Sequence, residues 1–143
     1  MIHGLWNTSS IFSFITPKLD NIGIEYFAPT LEHSYGMTSI LDLANKLNKL
    51  ILEKYGLEKE IDILGFSMGG IIGRSWLQKF NGCKRTRRLI SIGSPHKGTL
   101  MAQLIPKYPF RGISEMKINS KFLIGLANND FLLNDIELSL IHI

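Results

Sequence analysis

Glu60-Ile61-Asp62-Ile63-Leu64 followed by Gly65-Phe66-Ser67-Met68-Gly69-Gly70 is the stretch that decides the fold. The first five residues are rich in β-branched and apolar side chains and read as a short buried strand. Residues 71–80 contain no proline and are long enough for a helix. Between them the glycines make a sharp strand-to-helix corner, the setting that a G-x-S-x-G sequence needs. At such a corner the serine Oγ projects above the sheet. Side chains two positions to either side would collide there, and Gly65 and Gly69 carry none. The helix that starts after Ser67 aims its first N–H groups at whatever the serine attacks, and its dipole favours negative charge there. Ser67 is therefore a candidate nucleophile and the backbone N–H of Met68 a candidate oxyanion donor, with Gly70 as a further part of the turn. The plainer alternative is a tight turn with an incidental serine; the strand and helix on its flanks argue against it.

Two more segments fall in order around this one. His3-Gly4-Leu5-Trp6 lies upstream, separated from the serine by one strand and one helix. Downstream, Arg88-Leu89-Ile90-Ser91-Ile92-Gly93 reads as another buried strand and runs into Ser94-Pro95-His96-Lys97-Gly98-Thr99. Asn119-Ser120-Lys121-Phe122-Leu123 then looks like a helix start. Taken together these motifs resemble the α/β-hydrolase lipase and esterase family, and the resemblance covers nearly the whole chain in order. Thr30-Leu31-Glu32-His33-Ser34-Tyr35-Gly36 and residues 82–102 look like a bacterial triacylglycerol-lipase-like group within it.

The resemblance implies an α/β fold with a mostly parallel sheet flanked by helices, a partial α/β-hydrolase fold. It gives the N–H of Leu5 as the second oxyanion donor, with Gly4 letting the main chain approach the substrate. His3 becomes a structural histidine below that site and not the base. The implied reaction is carboxylic-ester hydrolysis through an acyl-enzyme on Ser67, with an acyl ester or lipid as substrate. A non-catalytic reading stands beside it: a hydrolase-fold piece that binds a lipid or a protein partner through residues 98–116.

The chain has 143 residues, enough for one domain, with 45% hydrophobic and 20% charged residues, which are globular values. The single Cys83 excludes an internal disulfide. No apolar run reaches the ~18 residues that span a membrane, which leaves peripheral lipid contact as the expected membrane relation. The compartment stays open, the cytoplasm being the working expectation, and so does the oligomeric state. Part of the net charge of +4 sits in Lys84-Arg85-Thr86-Arg87-Arg88. No aromatic platform is interleaved with that run, so it reads as a solvated loop and no nucleic acid is expected. No histidine or cysteine cluster has ligand spacing, and neither a metal nor a cofactor is expected.

Residues 22–27 read as a strand ended by Pro29. Residues 38–55 read as a helix: Ile40, Leu41, Leu43, Ala44, Leu47, Leu50 and Ile51 recur at helical spacing, Thr38 or Ser39 caps the start, and Gly56 ends it. Residues 98–116 are expected to be irregular, with Pro106, Pro109 and Gly112 as breakers. Their Leu100, Met101, Leu104, Ile105, Tyr108, Phe110, Ile113 and Met116 form either an acyl-chain wall or lid beside the serine, or an ordinary cover on the sheet. A helix near 117–128 and a strand over 136–143 follow. With right-handed crossovers the expected strand order is 22–27, 1–5, 60–65, 88–93, 136–143. Leu5, Ser67 and Ser94 then all lie at carboxyl ends of strands, where ligands bind in such sheets.

A serine hydrolase also needs a base and a carboxylate to orient it, in the chain order serine, acid, histidine. By the resemblance both are expected beyond Ile143. His96 belongs to the Ser-Pro-His turn and reads as structural, His142 lies in the last strand, and His33 is the least constrained. Asp130 and Asp135 precede the last strand and sit at its wrong end. Only Met1 and Ile2 are available for the strand before His3, against the usual ~5–6 residues. The expectation is a single hydrolase domain over residues 1–143, incomplete at both ends.

Overall fold

The computed structural model describes residues 1–141. Its elements in chain order are α1 (Thr16–Asn21), α2 (Ile40–Tyr55), β1 (Ile61–Phe66), α3 (Met68–Lys79), β2 (Thr86–Ile92), α4 (Leu100–Gln103), α5 (Arg111–Glu115), α6 (Lys121–Ala127) and β3 (Glu137–Ile141). The three strands form a parallel sheet in the order β1-β2-β3. This is the α/β arrangement expected, with the stretch before His3 on the outer side of β1. There Ile2 makes a single parallel bridge to Gly65: its N–H donates to Leu64 O at 2.8 Å, and its carbonyl accepts from Phe66 N–H at 2.9 Å.

α2 follows from its apolar spacing, and both ends are set by the expected residues. Ser39 Oγ accepts from Asp42 N–H at 3.1 Å and donates to the Asp42 carboxylate at 2.6 Å. Gly56 closes the helix with φ 66, where a side chain would be strained. Leu43, Ala44, Leu47 and Ile51 face inward. α3 is buried along nearly its whole length, from Met68 to Gln78, as befits a central helix covered on all sides. It rests on the sheet where Ile63 of β1 and Leu89 of β2 pair in register, and α2 packs on its far side. Each such aliphatic side chain removed from water contributes about 1.5–3 kcal/mol. Trp76, 1% exposed, also satisfies its indole N–H, which donates to Asn48 Oδ1 of α2 at 3.0 Å.

Three sequence expectations change. Residues 22–27 form no strand; their first two residues are a turn through Gly23, φ 69, and the neighbouring segment leaves extended structure at Gly4, so no ladder forms. They do lie in the expected place, because the Met1 amino group donates to Phe27 O at 2.6 Å. Residues 98–116 are more regular than their breakers suggest. Thr99 Oγ1 accepts from Met101 N–H at 3.3 Å and starts α4, and α5 forms beyond the prolines. The basic run 84–88 is solvated as expected but is only in part a loop: Thr86 to Arg88 belong to β2, with the exposed Arg87 paired to Asp62 and Arg88 to Glu137, both at 2.9 Å. The last strand occupies Glu137–Ile141, and His142 lies outside the described residues.

Candidate active site

Ser67 occupies the single residue between β1 and α3, with φ 52 and ψ −123. Its N–H donates to Ile92 O at 2.8 Å, which ties the corner to the end of β2. Its side chain caps nothing in α3, so Oγ is not spent on the helix it precedes. A non-glycine residue in this conformation is held there only by surrounding packing, and glycines provide that packing. A Cβ on Gly65 would lie 2.4 Å from Gly70 Cα, and one on Gly69 would lie 2.1 Å from Ile2 O. The corner is thus folded onto itself on one side and onto the start of the chain on the other. Gly70 serves the other flank, where a Cβ would fall 2.2 Å from both Ser91 Oγ and Ser94 Oγ.

The His3-Gly4 turn meets this corner directly. A Cβ on Gly4 would lie 2.9 Å from Ser67 Cβ. His3 is 1% exposed and fully engaged: Leu31 N–H donates to its Nε2 at 2.8 Å, which leaves the proton on Nδ1 to donate to Gly4 O at 2.9 Å. It fixes the turn and has no nitrogen left for proton transfer. Among the described residues the backbone N–H groups of Leu5 and Met68 have no acceptor.

His33, the least constrained histidine on sequence grounds, proves to be part of this turn. Trp6 N–H donates to His33 Nε2 at 3.1 Å, and Trp6 itself has φ 59 with its ring exposed. Burial, with His3 beside it, holds the His33 imidazole below its ordinary pKa and so keeps it an acceptor. His96 stands below the other flank, its Nε2 2.8 Å from the buried Ser91 Oγ. Asp130 is used structurally: its Oδ1 accepts from Arg74 at 2.6 Å and from Gln78 at 3.1 Å, both on α3. Nothing in the spacing announced the roles of His33 or Asp130, since each bond spans a distant segment. Among the described residues no group of histidine, cysteine, aspartate or glutamate side chains is arranged to hold a metal ion.

A family model described as palmitoyl protein thioesterase matches residues 1–134. The chain belongs to this palmitoyl protein thioesterase family. Solved structures place the family's fold here among α/β-hydrolases. Bacillus licheniformis lipase BlEst2 in its mature form superposes with a TM-score of 0.69 at 17% identity, over 97% of this chain and 62% of that one. Phospholipase PlaB from Legionella pneumophila, in complex with thio-NAD, gives a TM-score of 0.75 at 14% identity, over 97% of this chain and 36% of that one. An extracellular alpha/beta-hydrolase from a Paenibacillus species gives 0.59 at 18% identity, over 90% and 51%. This member of the thioesterase family therefore spans less than two thirds of each of these solved chains. A search of curated protein sequences finds no match.

Proposed function

We propose that this chain carries the nucleophile half of a serine hydrolase that cleaves carboxylic esters or thioesters of acyl chains. The observation that carries this reading is the positive φ of Ser67 at the β1–α3 corner, with the Gly4 turn against its Cβ. In the proposed step Ser67 Oγ attacks the acyl carbon and its proton passes to a base. The tetrahedral oxyanion is met by the N–H groups of Leu5 and Met68 at the start of α3, and the alcohol or thiol leaves as the acyl-enzyme forms. Water then releases the acid. The base and its carboxylate are assigned to none of the described residues. Membership of the palmitoyl protein thioesterase family supports an acyl thioester or ester as the substrate class.

The test compares the 143-residue chain, the open reading frame that carries it, and Ser67→Ala in each. Hydrolysis of p-nitrophenyl esters and of a palmitoyl thioester is followed, with intact-mass detection of an acyl or fluorophosphonate adduct. The reading expects any activity to vanish with Ser67→Ala and any adduct to map to Ser67. Activity that survives Ser67→Ala, or an adduct on another residue, removes it.

A further inference from the structure

The connection from β2 to β3 carries a second feature, on the face built by α4, α5 and the start of α6. Lys107, Arg111, Lys117 and Lys121 line one open cavity of about 510 Å³, together with Glu115 and Phe122. Among the described residues none of these four cations forms a contact ion pair. Elsewhere among the described residues four cations are ion-paired: Lys59 with Glu25, Arg74 with Asp130, Arg87 with Asp62 and Arg88 with Glu137. The one carboxylate in the cavity is already occupied: Glu115 Oε2 accepts from Ile40 N–H at 2.6 Å, at the start of α2. Next to the cations the same connection exposes large apolar side chains. Leu100 and Met101 are each 73% exposed, Leu104 82% and Tyr108 86%. They are among the most exposed large apolar side chains of the described residues, and they lie on the same β2–β3 connection as the cations, Leu104 and Tyr108 standing next in sequence to the cavity residues Gln103 and Lys107.

We propose that this face docks on an anionic lipid surface. The lysine and arginine heads of the cavity meet acidic headgroups, while Leu100, Met101, Leu104 and Tyr108 enter the interface, a combination of charge and apolar area that membrane-surface elements share. Tyrosine is suited to that depth because one end of its ring is apolar and the other wet. Charge complementarity selects the occupant: the cavity's four cations face a single carboxylate, Glu115, which interacts with Arg111, so a neutral lipid surface would leave an excess of positive charge unmatched, and a small soluble anion would leave the apolar side chains without a role. The face is also tied to the Ser67 corner. A Cβ on Gly36 would lie 2.6 Å from Ile113 Cγ1 of α5 and 3.3 Å from Leu5 Cδ1, so α5 and the Gly4 turn close on the same glycine. Docking would bring that turn to the lipid surface. The inference itself does not rest on Ser67 as nucleophile, since it is read by binding and not by turnover.

The experiment is sedimentation of the chain with vesicles of phosphatidylcholine alone and of phosphatidylcholine with phosphatidylglycerol. It is run at low and high sodium chloride and repeated for the open reading frame that carries the chain. The expected result is binding that needs phosphatidylglycerol and is released by salt. Each basic residue near such a surface is worth about fivefold in partitioning, so Lys107→Ala/Arg111→Ala/Lys117→Ala/Lys121→Ala should weaken binding by at least about 100-fold. Lys18→Ala/Lys46→Ala/Lys49→Ala/Lys79→Ala removes the same charge from α1, α2 and α3 and should lower binding far less. Leu104→Ser/Tyr108→Ser should weaken binding while keeping its dependence on phosphatidylglycerol. Circular dichroism of each variant establishes that it is folded. Equal binding to both vesicle types, equal loss in the two quadruple variants, or retention by inorganic phosphate or duplex DNA without vesicle binding would overturn the proposal.

Discussion

Gly4 and Ser67 lie so close that a side chain on the first would press on the second: a Cβ at Gly4 would stand 2.9 Å from Ser67 Cβ and 3.2 Å from Phe66 O. The backbone of Gly4 does not itself exclude alanine, so Gly4→Ala isolates the contact. In the hydrolysis proposed above, measured in the open reading frame that carries the chain, the substitution should lower kcat by ~10²-fold, comparable to the loss of one oxyanion donor, with a stability cost of about 1–2 kcal/mol. Steady-state kinetics beside urea unfolding separates the two effects. An unchanged kcat would mean that the turn does not shape the reaction.

Gly69→Ala tests the opposite wall of the corner. Its new Cβ would meet two backbone carbonyls, Ile2 O at 2.1 Å and His3 O at 2.7 Å, and neither can swing aside as a side chain does. The expected outcome is a loss of about 1–3 kcal/mol or more in urea unfolding, through displacement of residues 1–4 from β1. Accelerated amide exchange at Phe66, whose N–H donates to Ile2 O, should accompany it.

His33 makes stability pH-dependent in a defined direction. Burial holds its folded pKa below the ordinary value of 6.5, so the unfolded chain takes up the proton first as pH falls. This contribution to stability is complete above about pH 6.5, is lost as pH drops from there to the folded pKa, and is constant below it. Protonation at Nε2 also sets two N–H groups against each other at Trp6. Melting temperatures from pH 8 to 5 should fall more for the wild-type chain than for His33→Gln, which has no titration there. Parallel profiles for the two would contradict the assignment.

Asp130→Ala should destabilise the chain by about 1–3 kcal/mol, because it strands a buried guanidinium. The Arg74 side chain is 8% exposed and its partner 54%, so the carboxylate is the end that water can replace in part. The double change Arg74→Met/Asp130→Ala should recover much of the loss, since an apolar side chain of similar length fills the same space. Chemical denaturation of the single and double variants gives the coupling directly.

The Ser67 corner was legible because its constraint is local: a strand, two flanking glycines and a helix announce one geometry within a dozen residues. The caps of α2 were legible for the same reason, Ser39 and Gly56 standing where the apolar period starts and stops. Residues 22–27 have the composition of a strand, but a strand is completed by its neighbour. The neighbour here offers one hydrogen bond, Met1 to Phe27, before Gly4 turns away. His33 and Asp130 were opaque because their partners, Trp6 and Arg74, are distant in sequence and no spacing rule connects them. In residues 98–116 the prolines hide two short helices, because they interrupt helix only locally and leave α4 and α5 room on either side.

The parallel pairing of β2 with β3 has a consequence for how the chain is made. Every contact in that ladder joins residues far apart in sequence, from Arg88 with Glu137 to Ile92 with Ile141. At a synthesis rate of about 5–20 residues per second, the roughly 45 residues between the two strands take about 2–9 s to emerge. Throughout that interval the free edge of β2 has no ladder partner, while α3 and β1 can already close on its other side. A nascent chain in this state presents an open strand edge, the template for joining another copy. Translation speed across residues 93–136 should therefore affect the soluble yield of this protein more than speed across α2, whose backbone hydrogen bonds join neighbours in sequence.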